Sequence, residues 1–463
     1  MTSKPQVIVQ VVDNDMCTGC GLCTYKCSSN ALSMGWNKEG FLVPELTGSC
    51  DNDAACISVC PFNPLPLEPV KDETALAEIF LTEGTQTEEK LGRLTGIYAA
   101  YSNEFRETSS SGGIATYVFD QLLDKGIIDH VFSVRSPNES GPHYEYKVAS
   151  NKTELRDSAK TKYYPVTLAT VLPELEKLEG KVAIVGVACF VKAVRLAQHY
   201  DPVLKEKIPF VAGIICGGVK SKFFTEYLAS KAGADHENIK SPNFRIKDVT
   251  STASDYAFGC EDVASGDYKK IKMREVGDMW GTGLFKANAC DFCDDVVTEL
   301  ADISLGDAWL EPYSKDGRGT SVIITRSPLA ESIIQEGAKS SAIVIEPISP
   351  DTMRASQQGS YNHRHDGLYV RVKEAQAMGV AIPEKRYGKK PVTLDVALVQ
   401  KLRRVTRRKS LEVWSQTQTA AEFDKEMQSA LFNLRVATKI THIRRMGFKH
   451  FIQRLTARIM REK

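Results

Sequence analysis

Apolar residues recur in this chain with two spacings. Gly96–Ser102, Ile127–Val134, Ala301–Leu305 and Ser321–Arg326 are short, nearly unbroken apolar runs, as expected of strands covered on both faces. Lys181–Ala188 and Pro209–Cys216 have the same character, and each leads directly to a cysteine. Between these runs the spacing turns helical, over Ile114–Lys125, over Val166–Leu178 and from Cys189 to about His199. Phe244–Phe258 and Asp267–Arg274 predict antiparallel strands. The alternation predicts an α/β domain with a mixed sheet. Upstream, the proline-rich Pro61–Pro69 and the polar residues to about Leu94 predict a linker.

At 463 residues the chain has room for two to four domains. Its 42% hydrophobic and 25% charged residues suit a soluble globular protein, and no run of about 18 apolar residues offers a membrane span. The N-terminus is polar, is broken by Pro5 and lacks a secretory signal's apolar stretch, so a cytoplasmic protein is expected. The net charge of +1 hides an asymmetry, because residues 385–463 carry 20 Lys and Arg against 6 Asp and Glu. A basic tail suits an anionic partner, either an acidic protein or the inner membrane face, with nucleic acid the weaker fit.

Eleven of the twelve cysteines fall into three groups. Cys17-x2-Cys20-x2-Cys23-x3-Cys27 is the bacterial ferredoxin run, with Ser28 where proline is usual. Cys50-x2-Asp53-x2-Cys56-x3-Cys60-Pro61 repeats it with Asp53 in the second cysteine's place. The crossed-ligand rule gives one 4Fe-4S cluster to Cys17, Cys20, Cys23 and Cys60. It gives a second to Cys27, Cys50 and Cys56, with Asp53 or an open corner at the fourth iron. A carboxylate binds iron more weakly than thiolate, so this cluster has a three-iron form as an alternative. Zinc knuckles use paired cysteines rather than overlapping triplets, and disulfide frameworks belong to short secreted chains.

The third group is Cys189, Cys216, Cys290 and Cys293. In parallel sheets ligands gather at the carboxyl ends of strands, where Cys189 and Cys216 fall. The four are read either as a third cluster site or as two core cysteines beside an unrelated C-x2-C. Ser111-Gly112-Gly113 precedes a helix, where exposed N–H groups and the helix dipole suit a phosphate, although a plain serine-capped loop has the same residues. Lys162 and Tyr163 offer a cation and a ring, or simply a solvated turn.

In this order the segments resemble the coenzyme F420 hydrogenase/dehydrogenase beta-subunit family of iron–sulfur flavoproteins. The resemblance runs from about Cys17 to Glu346 through Ser111-Gly112-Gly113, Lys162-Tyr163, Ile184–Cys189, Cys216-Gly-Gly, Phe244–Lys247, Cys290–Cys293 and Ala301–Trp309. The family's usual Gly-Thr-Pro-Cys turn is Gly186-Val-Ala-Cys189 here. The resemblance implies a cubane on Cys189, Cys216, Cys290 and Cys293. It also implies FAD in the central domain, near Ser111, Gly112, Gly113, Lys162, Tyr163, Arg245 and Lys247. The chain then divides into a ferredoxin-like 4Fe-4S module (1–65), a linker (66–94), an α/β domain for FAD and the third cluster (95–385) and a basic helical tail (386–463). In the tail, Leu431, Leu434, Ile440, Ile443, Phe451, Leu455 and Ile459 fall roughly on one helical face among basic residues.

The expected function is an oxidoreductase passing electrons from a ferredoxin-type or deazaflavin donor through clusters to FAD and a small organic substrate. No side chain is singled out as catalytic. The alternatives are an electron-transfer subunit without substrate turnover, and a zinc-holding protein using its tail on nucleic acid. Asp53→Cys is expected to favour a four-iron second cluster. Iron content and electron paramagnetic resonance spectra unchanged from the parent would place Asp53 away from the open corner.

Overall fold

The computed structural model describes residues 4–137 and 141–446. Near the N-terminus β1 (Leu32–Trp36) and β2 (Leu42–Leu46) pair as a hairpin, and β3 (Gln86–Glu88) and β4 (Gly92–Leu94) as another. The central sheet then takes β5 (Gly96–Ser102), β6 (His130–Arg135), β7 (Glu145–Ala149), β8 (Val182–Val187) and β9 (Phe210–Ile214). A separate antiparallel sheet holds β10 (Ile239–Ile246), β11 (Ala257–Asp262) and β12 (Tyr268–Lys272). The chain returns to the centre as β13 (Ile303–Asp307), β14 (Ser321–Thr325) and β15 (Ile343–Pro347). The central order is β15-β5-β14-β13-β9-β8-β6-β7, in which β13, β9, β8 and β6 are parallel neighbours. β5 shares their direction, since it and β13 both pair antiparallel with β14.

Both faces of this sheet are buried, which explains the unbroken apolar runs. Phe132, Ile184 and Val211 face the core that holds Phe190 and Val194 of the helix Ala188–Tyr200. Their neighbours Val131, Ala183 and Phe210 join the opposite core, with Val118 of the helix Ile114–Asp124 and Ile333 of the helix Pro328–Lys339. The mixed α/β class is the one the spacing predicts.

Three local expectations differ. Val166–Leu178 is not one helix but two 3-10 turns, Leu168–Thr170 and Leu172–Glu176, because Pro173 has no N–H to continue a helix. The strand expected over Phe244–Phe258 ends at Ile246 and the next starts at Ala257. The stretch read as a linker carries the helix Glu73–Phe80 and the β3–β4 hairpin, and Leu76, Leu91 and Leu94 are buried. Arg326 pins that hairpin: its guanidinium, fully buried, donates to the carbonyls of Leu91 (2.7 Å) and Arg93 and to the Ser304 hydroxyl at 3.1 Å.

The helices Leu394–Thr417 and Ala420–Met446 form an antiparallel hairpin. It packs on the main body through Leu411, Trp414, Phe423 and Met427, which share a core with Tyr227 and Phe285. The apolar face read from the sequence is split. Leu434 is buried against the partner helix, Leu431 and Ile443 are half-buried, and Ile440 is 56% exposed. Phe451, Leu455 and Ile459 lie outside the described residues. Among the described residues no helix is long and apolar enough to cross a membrane.

Arg326→Met leaves two buried carbonyls without a donor and is expected to destabilise the fold by about 3 kcal/mol. Urea unfolding reads the loss, and limited proteolysis should cut first within residues 83–94.

Candidate functional site

Cys17, Cys20, Cys23 and Cys60 line one cavity with Val11, Met16 and Phe62. Burial first, and then the neighbouring thiols, pushes Cys17 up to about 12 and Cys23 and Cys60 well above the usual thiol range. Burial likewise lifts Cys20 to about 11. Cys56 is raised by burial and then by Cys27 and Cys50, so these three form a second set. The two cysteine runs share a backbone trace. Gly19 and Gly21 in the first, and Asn52 and Ala54 in the second, all take left-handed conformations. In each, an amide donates to the first sulfur, Gly19 to Cys17 Sγ and Asn52 to Cys50 Sγ, both at 3.4 Å. The Gly19 bond favours the Cys17 thiolate.

Asp53 stands at the repeat of Cys20, and both of its oxygens are engaged. Ala55 N–H donates to Oδ1 at 2.9 Å and Ser28 Oγ to Oδ2 at 2.6 Å. The Ser28 bond, then that of Ala55, holds the carboxyl below its ordinary range. The serine in the customary proline's place thus holds the aspartate in the customary cysteine's place. Among the described residues, no group of three or more His, Cys, Asp or Glu is arranged to hold a single metal ion.

The third set assembles at the carboxyl edge of the central sheet. Cys189 opens the helix after β8, Cys216 follows β9, and Cys290 and Cys293 lie in and just after the turn Asn288–Phe292. Burial raises Cys189 first, followed by Cys290, Cys293 and Cys216, so the four thiols are mutual neighbours. Amides again face the sulfurs, Gly218 to Cys216 at 3.1 Å and Val219 to Cys290 at 3.2 Å. Arg364 Nη1 donates to Cys293 Sγ at 3.6 Å and to Asp295 O at 2.7 Å. Nothing in the spacing of the sequence points to this arginine. The Thr18 side chain neighbours Cys189 and so joins the first set to the third.

At the same edge the loop Ser111–Gly113 links β5 to the helix Ile114–Asp124. Gly112 serves the protein's own packing: its carbonyl accepts from Ser102 N–H at 2.7 Å, and a Cβ would lie 2.3 Å from Ala100 O. Lys247 Nζ donates to Arg106 O (2.6 Å) and Ser111 O (2.8 Å), and Lys162 Nζ to Ser158 O and Ala159 O (2.5 Å each). Burial pushes Lys162 down to about 7 and Lys247 to about 8. Arg245 forks onto Asp307 at 3.1 Å through both terminal nitrogens, under the ring of Tyr256. Its Nη1 also lies 3.5 Å from Tyr163 Oη, and its buried Nε has no partner among the described residues. The Tyr163 ring packs 4.7 Å from Trp280, whose ring lies so close to Gly217 that a Cβ would come within 2.8 Å. All seven residues expected around a cofactor thus share one region, which abuts the third thiol set. Asp307, Tyr256 and Trp280 complete it without having been singled out in the sequence. Cations, an unpaired buried donor and several rings in one place fit an anionic aromatic cofactor of the FAD type.

Models described as coenzyme F420 hydrogenase/dehydrogenase, beta subunit, match the chain over residues 97–173 (N-term) and 179–351 (C terminus). A 4Fe-4S binding domain model matches residues 11–33. The chain belongs to the coenzyme F420 hydrogenase/dehydrogenase beta-subunit family. It is 26% identical over 268 residues to the coenzyme F420 hydrogenase subunit beta of Methanothermobacter thermautotrophicus, covering 56% of this chain and 86% of the relative. It is 25% identical over 332 residues to the coenzyme F420-dependent sulfite reductase of Methanocaldococcus jannaschii, covering 68% of this chain but 45% of that one. A ferredoxin of Pyrobaculum islandicum is 37% identical over 51 residues, 11% of this chain and 45% of the relative. These matches support 4Fe-4S binding and an oxidoreductase role.

The depressed Lys162 amine has a stability signature. Unfolded, it titrates near its ordinary 10.5, and folded at about 7. Between these values the unfolded chain holds the extra proton, so the lysine's penalty on folding shrinks as pH rises. Relative to its value at pH 10, the stability of Lys162→Met should therefore gain on the parent as pH falls to 7, on top of a pH-independent loss for the Ser158 and Ala159 carbonyls left without their donor. Chemical unfolding of both proteins across that range checks this, and a constant difference would count against a buried amine.

Proposed function

We propose that this chain is an iron–sulfur flavoprotein oxidoreductase. It takes electrons from a ferredoxin-type donor through clusters on its three thiol sets to FAD, and on to a small organic substrate. The observation that supports this reading is one line of contacts. Thr18, beside Cys17, neighbours Cys189; Gly217, beside Cys216, lies against Trp280, which packs on Tyr163.

In this reading Cys17, Cys20, Cys23 and Cys60 bind one 4Fe-4S cluster. Cys27, Cys50 and Cys56 bind a second, with Asp53 or an open corner in the fourth position. Cys189, Cys216, Cys290 and Cys293 bind a third. Bound clusters supply single electrons, and FAD joins these to a two-electron hydride transfer. The chain's own residues bind, orient and exclude water. Arg364 sets a cation beside Cys293 and Cys290, which favours their ionised forms. Lys247 fixes the Ser111 loop through its carbonyl, and Lys162 and Arg245, with the ring of Tyr163, would hold a flavin. Proton delivery is then the only acid–base task left to side chains.

A second reading, an electron-transfer subunit whose substrate chemistry sits in a partner, draws support from the hydrogenase relative, which is itself named a subunit. The two differ in whether the isolated chain turns over a substrate.

Anaerobic purification followed by iron, zinc and flavin analysis of one sample tests the proposal. About eleven or twelve irons with one FAD per chain is the expected result. About eight irons without flavin, or zinc in place of iron, overturns it.

A further inference from the structure

Beyond Asp351, the last residue that the family models match, lies a cleft that none of the chemistry above uses. The helices Leu394–Thr417 and Ala420–Met446 and the turn Asn362–Asp366 frame a cleft open to solvent, with a cavity volume of about 80 Å3. Its polar lining is Asn362, Gln400, Arg403, Thr438, Thr441, His442 and Arg445, without a carboxylate.

The lining has more donors than acceptors. Arg403 Nε is buried without a partner, and among the described residues the side chain's one hydrogen bond runs from Nη1 to His363 Nδ1 at 3.5 Å. The nearby carboxylates are committed elsewhere. Asp291 holds Lys286 and His363, Asp395 holds Arg444 at 2.9 Å, and Asp278 accepts from the amides of Trp280 and Gly281. Arg445 makes no ion pair or hydrogen bond among the described residues, and it lies near enough to Arg403 for the two cations to repel. The amide oxygens of Gln400 and Asn362 already accept, from Arg371 and Gln358, while their NH2 groups have no partner among the described residues. Two guanidinium groups, free amide donors and no acid in one cleft match a tetrahedral oxyanion, which accepts several hydrogen bonds and offers none when fully ionised.

We propose that this cleft binds a phosphate group, either as the free anion or at the end of an organic phosphate. Bound there, it bridges the two helices of the C-terminal hairpin and offsets the repulsion between Arg403 and Arg445.

The test uses the full chain, purified anaerobically, and reads its thermal unfolding midpoint. Inorganic phosphate and AMP are titrated separately against chloride at constant ionic strength. Phosphate or AMP should raise the midpoint saturably. Arg445→Gln, a change at an exposed position that leaves the fold intact, should raise the half-saturating concentration at least about tenfold. Half-saturation at lower AMP than phosphate assigns the site to organic phosphates, and the reverse order to the free anion. No rise above the chloride control, or an unchanged half-saturation in Arg445→Gln, overturns the proposal.

Discussion

One backbone hydrogen bond organises the molecule: Leu168 N–H donates to the carbonyl of Cys20 at 3.0 Å. It exists because residue 21 is glycine. In its left-handed conformation a Cβ there would sit 2.2 Å from Thr167 Oγ1, so any side chain would wedge the two segments apart. With this contact made, Thr18 reaches Cys189, and Cys20, Leu22 and Val59 enter the same buried core as Phe132, Ile184 and Val211 of the central sheet. The N-terminal module is therefore docked rather than tethered. The spacing between its thiols and the third set is a property of packing and does not depend on diffusion along a flexible link.

Buried charge is used to hold irregular backbone. Lys247, Lys162 and Lys220 each commit their amine to main-chain carbonyls of loops, Lys220 to those of Met279 and Leu284 at 2.7 and 2.6 Å. Arg326 and Arg364 do the same with guanidinium groups. Loops that carry functional side chains cannot satisfy their carbonyls by a strand ladder, and a cation with several donors closes that deficit at one point. Desolvation opposes the charge, which is why the lysines among them have depressed pKa values.

Much of this was legible in the sequence. The doubled cysteine run repeats even in its left-handed turns, and Cys189 and Cys216, which follow the parallel strands β8 and β9, do meet at one edge of the mixed sheet. What stayed hidden has physical reasons. The β3–β4 hairpin has strands of three residues, too short for a period to register, and its burial depends on Arg326, which is 235 residues from Leu91 along the chain. The turns after Val166 keep helical spacing of apolar residues although Pro173 forbids the helix. Arg364, Asp307 and Trp280 act through contacts that no local spacing records.

The second thiol set lies beside the exposed stretch Asp51–Asp53, whereas Cys20 and Cys23 are buried behind Met16 and Leu22. Dissolved oxygen meets these two regions unequally. Oxidation of sulfur follows access, so damage in air begins at Cys27 and Cys50 and works inward.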